Sequence, residues 1–69
     1  MPEMIRFLGY TNVRGERLAE FADPERRYAQ NGGERIFLTK EHCVQRLKAL
    51  KTRGESHEET ERAVSEWPE

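Results

Sequence analysis

A single cysteine, Cys43, stands in a chain of 69 residues, and the pairing of shortness with one thiol constrains the fold more than any other feature. No disulfide can form within the chain, so packing alone must hold it together. The length suits one small domain over residues 1–69 and leaves no room for a separate catalytic domain. A core of this size seldom supplies more than about 3–5 kcal/mol, so marginal stability or pairing into a homodimer is expected.

A lone thiol fits a reducing, cytoplasmic setting. The apolar runs near the N-terminus, Met4-Ile5 and Phe7-Leu8 on either side of Arg6, are too short for a signal sequence or a spanning helix, so no membrane partner is expected. Charged residues make up 36% of the chain and the mean hydropathy is −0.99, values that would also suit disorder. The net charge of −1 and the periodic apolar clusters instead imply a folded domain.

Local patterns place the elements. Thr39 is an N-cap candidate, and Cys43, Val44, Leu47 and Leu50 then recur on one helical face until Gly54 supplies a stop. Ser56-His57-Glu58-Glu59 has the form of a capping box, in which Glu59 would reach back to the Ser56 N–H. Thr60, Ala63, Val64 and Trp67 continue that second helix, and Pro68 ends it. Toward the N-terminus, residues 4–10 and 35–38 are rich in strand formers. Asn31-Gly32 is a hairpin signal that would pair residues 26–30 with 34–38. Residues 16–22 fit either a helix, through Leu18, Phe21 and Ala22, or a strand entered by a turn at Arg14-Gly15. Asp23-Pro24 could also open a short helix over residues 26–30, with the strand reading preferred. The expected class is α+β: a small antiparallel β-meander or hairpin, mainly β or mixed over residues 1–38, followed by a C-terminal pair of short α-helices over 39–67.

No catalytic, metal or cofactor site is assigned. The ten residues of helix from Cys43 to Arg53 put roughly 15 Å between the thiol and His57, and His42 diverges from Cys43 by about 100° on the helix. Cys43 lies in the apolar stripe, where a small buried hydrophobe is expected. The glutamates around the second helix favour its dipole but form no acid–base pair.

Charge is unevenly distributed. Residues 1–34 sum to −1, residues 35–53 to +5 and residues 54–69 to −5. Arg26, Arg27, Arg35, Lys40, Arg46, Lys48, Lys51 and Arg53 could therefore neutralise phosphates, which is the nucleic-acid alternative. The simpler expectation is a basic helix facing its acidic neighbour through surface ion pairs of about 0–1 kcal/mol each.

Asn31-Gly32 through Arg35-Ile36-Phe37, then Val44-Gln45-Arg46-Leu47 and Gly54-Glu55-Ser56-His57-Glu58-Glu59, resembles the wing and following helices of MerR-type and excisionase-type regulators over about half the chain. That resemblance implies DNA binding by a dimer. In those regulators a helix-turn-helix precedes the wing, whereas here residues 18–30 are broken by Asp23-Pro24 and are too short for one.

Among the aromatics, Phe7, Phe21 and Phe37 are expected in the core. Tyr10, Tyr28 and Trp67 are candidate partner-facing anchors, joined by Glu58 and Glu59. The functional expectation is a non-catalytic protein that binds a larger protein or nucleoprotein complex and blocks or modulates it, as an inhibitor or accessory factor of the phage or mobile-element kind.

Overall fold

Arg14 and Gly15 both have positive φ, at 53° and 81°, and join two strands that pair from Val13↔Glu16 outward. A two-residue hairpin loop of this kind twists with its flanking strands, and it decides between the two readings of the following segment in favour of a strand. The computed structural model of the chain describes residues 5–27 and 33–68. It comprises β1 (Arg6–Val13), β2 (Glu16–Ala22), β3 (Arg35–Leu38), α1 (Lys40–Thr52) and α2 (Glu58–Ser65). The sheet is antiparallel in the order β1-β2-β3, so the class is α+β, a three-stranded sheet followed by two helices.

The pairing expected for residues 34–38 is corrected. β3 pairs with β2, through Phe21↔Ile36 and Ala19↔Leu38, and not with Arg26 or Arg27. Arg26 (φ 55°) and Arg27 instead belong to a turn after β2. There the Arg26 N–H donates to the Asp23 carbonyl at 2.9 Å and the Arg27 N–H to Asp23 Oδ1 at 3.2 Å. Asp23 thus satisfies the turn from a fully buried position, and no helix follows Pro24 over the described residues. Asn31-Gly32 and residues 28–30 lie outside the described residues. The β1–β2 hairpin occupies the place where a helix-turn-helix would precede a wing, and the regulator-like arrangement is absent from the described residues.

Ladder geometry also fixes where backbone groups point. The Asp23 N–H donates to the Glu34 carbonyl at 2.8 Å. Bonded and non-bonded pairs alternate along an antiparallel ladder, so Phe21/Ile36 and Ala19/Leu38 exchange bonds while Arg35 and Phe37 turn N–H and C=O away from β2. Seen from the other side of β2, Phe7/Phe21 is then a non-bonded pair, and the Phe7 N–H faces outward. It finds Glu59 Oε1 of α2 at 2.8 Å.

The helices follow the expected positions with one change. Thr39 caps α1, its hydroxyl accepting from the His42 N–H at 3.2 Å. At the other end the Glu55 N–H bonds the Leu50 carbonyl and the Gly54 N–H bonds the Lys51 carbonyl, a Schellman closure around Gly54 (φ 69°). The capping box is corrected: His57, not Ser56, is the N-cap of α2, with no side-chain cap, and the Glu59 carboxylate serves β1 instead.

Both helices lie on the same face of the sheet. Ile5, Ala19, Phe21, Ile36, Cys43 and Ala63 form the buried cluster, flanked by Phe7, Tyr10, Leu38, Val64 and Trp67. Phe37, expected in the core, is 45% exposed on the opposite face because it alternates with Ile36. Replacing the Glu59 carboxylate removes the acceptor of a half-buried edge N–H. Glu59→Ala is expected to lower stability by about 1–2 kcal/mol, and Glu59→Gln by clearly less, read as a shift in urea midpoint at constant m-value.

Candidate functional site

The aromatic anchors expected to face a partner make contacts within the molecule. The Tyr10 hydroxyl donates to the Ala63 carbonyl at 2.7 Å, and its ring meets Phe7 edge-on at 5.2 Å and Trp67 at 5.0 Å. Trp67 packs as a lid over the end of the core, while Pro68 accepts from Arg17 at 2.9 Å. Burial raises the Tyr10 pKa, helped by Glu66 and Cys43 and opposed by Arg17. Glu58 is exposed in the first turn of α2, Glu59 holds Phe7 and Arg62, and Tyr28 lies outside the described residues.

The basic candidates are dispersed. Arg26 faces Glu34 at 3.7 Å, Arg27 faces Glu25 at 3.1 Å, Arg35 faces Glu20 at 3.5 Å and Arg53 faces Glu55 at 2.7 Å. Lys40, Lys48 and Lys51 are exposed on α1. The expected ion-pair seam between the helices takes a different form. Arg46 of α1 donates from Nε to Thr60 Oγ1 of α2 at 3.3 Å, while the α2 carboxylates Glu59 and Glu66 gather around Arg62 of the same helix.

What the structure does bring together is the outer edge of β3 and one side of α1. A groove of about 380 Å³ runs between them. Ile36, Phe37 and Leu38 form its strand wall, and His42, Gln45, Arg46, Ala49 and Arg53 form its helix wall. The helical residues recur every three or four positions, so a single helix face supplies them. The floor is apolar, two arginines stand on the rim, and no carboxylate belongs to the lining. Along the strand wall lie the outward N–H and C=O groups of Arg35 and Phe37, on an edge that no strand among the described residues covers.

Sequence reasoning named Arg46 and Arg53 but did not join them to Phe37. The signal was the unbroken apolar run Ile36-Phe37-Leu38, which does not alternate as a strand with one wet face should.

The nucleophile and base candidates stay apart. Cys43 is buried, and desolvation pushes its thiol up to about 11 against a small opposing effect of Arg46. His57 Nδ1 lies 3.0 Å from the Glu55 carbonyl and Nε2 3.8 Å from Glu61, at the far end of α1. Among the described residues no group of three or more His, Cys, Asp or Glu is placed to hold a metal, and no helix is long and apolar enough to cross a membrane. Compared with known proteins, the chain matches no family model, no curated protein and no solved structure.

Cys43 offers a direct probe of the packing. A thiol titrating at about 11 rather than 9.0 carries roughly a hundredth of the thiolate at pH 8, before any loss of access is counted. Iodoacetamide labelling at pH 8 is therefore expected to be at least about 100-fold slower in the folded protein than in urea. Because the folded pKa is the higher one, the unfolded state loses its proton first as pH rises. Stability present below pH 9 is lost toward pH 11, with Tyr10 adding to the same trend, and Cys43→Ala makes the decline shallower.

Proposed function

We propose that this is a non-catalytic interaction protein that captures an extended, acidic segment of a larger partner protein along the open edge of β3 and thereby blocks or modulates it. The observation that carries this reading is the groove between β3 and α1, with outward backbone groups on one wall, arginines on the other and no carboxylate between them. Strand addition obtains affinity from main-chain hydrogen bonds and selectivity from pockets for alternate side chains. Here Leu38 would supply apolar contact and Arg46 would select a carboxylate, Arg53 being paired with Glu55 at 2.7 Å. The groove lies at the small end of the range for binding clefts. A cytoplasmic setting remains part of this proposal, on the strength of the lone thiol.

The nucleic-acid alternative has less support, because Arg26, Arg27, Arg35 and Arg53 each face a carboxylate and lie on different parts of the surface.

A fluorescein-labelled peptide of alternating valine and glutamate, titrated by fluorescence polarisation against the same peptide with lysine for glutamate, tests the reading. The acidic peptide is expected to bind at least about tenfold more tightly. Phe37→Pro removes an outward N–H without touching the β2–β3 ladder, and Ala49→Trp fills the groove; both should abolish binding in a folded protein. Equal binding of the two peptides overturns the proposal. So does a labelled oligonucleotide that binds with a steep salt dependence and is lost with Lys48→Glu and Lys51→Glu.

A further inference from the structure

The three large hydrophobics that the fold leaves exposed, Leu8 at 50%, Val13 at 47% and Phe37 at 45%, fall on one surface. The strand register places them there. Residues paired across a ladder share a face. Tyr10/Ala19/Leu38 and Phe7/Phe21/Ile36 point to the helices. The opposite face carries four rows: Val13 with Glu16, Thr11 with Leu18, Leu8-Gly9 with Glu20 and Phe37, and Arg6 with Ala22 and Arg35. Leu8 joins this face through the register shift between Phe7 and Gly9, which sets two residues of β1 against Glu20.

An antiparallel sheet with one solvated face alternates apolar with polar residues, whereas a sheet buried on both sides reads as near-continuous apolar runs. Leu18-Ala19, Phe21-Ala22 and Ile36-Phe37-Leu38 are of the second kind. Both helices are committed to the other side, through Cys43 and Ala63 in the core cluster. Glu20, in the middle of the outer face, is already matched by Arg35 at 3.5 Å.

We infer that this face is covered by a second copy of the chain, in a two-fold sheet-on-sheet dimer with the helices on the outside. The distribution of charge selects both the partner and the axis. Arg6 and Arg35 stand at one end of the face and Glu16 at the other. A two-fold axis in the plane of the interface and perpendicular to the strands lays each end over the opposite end of the second copy. Glu16 then sits over the Ala22 row, flanked by two arginines, and Leu18 and Thr11 meet the row that holds Leu8 and Phe37. An axis along the strands would instead set Arg6 against Arg35, like on like.

The area fits only a weak pair. Strands about 4.8 Å apart, with eight, seven and four residues at about 3.3 Å each, present roughly 300 Å² per copy, near 600 Å² in total, below the usual range of specific interfaces. Sheets packed this way lie about 10 Å apart with strands within about 30° of each other. The β3 edge is not used, so the dimer would carry two peptide grooves, and the two proposals stand or fall separately.

Sedimentation equilibrium over a concentration series reads the outcome directly. The expected result is a reversible shift from the 8.2 kDa chain mass to twice that value. Leu8→Asp, at an exposed position, should raise the dissociation constant at least about tenfold while circular dichroism stays that of the parent. Glu16→Arg should weaken the dimer, and Arg6→Glu in the same chain should restore it. A protein that remains monomeric at millimolar concentration overturns the inference. A dimer indifferent to Leu8→Asp overturns it as well, and a dimer that Glu16→Arg leaves unchanged overturns the assigned axis.

Discussion

The outward N–H of Phe7 and the Glu59 carboxylate that meets it hold together the two ends of the chain. β1 is an edge strand, and an unpaired edge next to a half-buried region is costly unless something takes up its donors. Glu59 does so across 52 positions of sequence, and Tyr10 repeats the connection from its hydroxyl to the Ala63 carbonyl. These bonds settle which side of the sheet α2 covers. Ala63 and Val64 then reach the core, Trp67 closes it, and α1 packs beside them through Cys43.

This attachment explains what was legible in the sequence and what was not. α1 was fully written into its neighbours: Thr39 at one end, the Cys43-to-Leu50 stripe, and Gly54 at the other, all acting within a few residues. The start of α2 was misread because a local rule competed with a distant one. Glu59 had the spacing to cap Ser56, yet a β-strand N–H with no other partner held it instead. β2 was ambiguous for a related reason. Leu18, Phe21 and Ala22 satisfy a helical spacing, and only the turn at Arg14-Gly15, together with pairing on both sides, makes them a strand. The partner of β3 is separated from it by residues 23–34, beyond the reach of short-range turn signals.

The candidate site shows the same division. Its helix wall could be drawn from periodicity alone, but its strand wall depends on which backbone groups of β3 point outward, and that is settled by the register with β2. Tyr10 and Trp67 had the composition of interface anchors, and their roles in the core follow from a chain too small to bury Phe7, Phe21 and Ile5 without help. In a larger domain the same aromatics would be free to face outward.

The two edges of the sheet thus differ in kind, and the segregation of charge follows that difference. Next to the β1 edge lies the acidic C-terminal segment, where Glu59 meets Phe7 and Arg62, Glu66 meets Arg62 and Glu61 lies 3.8 Å from His57. Beside the β3 edge lies the basic segment, whose Arg46 and Arg53 border a groove without a carboxylate. A near-neutral total conceals an acidic segment beside the β1 edge and a basic one beside the β3 edge, which no strand among the described residues covers. An edge strand left open in a small protein is a hazard for uncontrolled pairing unless it is short, twisted or charged. β3 is four residues long and begins with Arg35, two features that limit indiscriminate pairing.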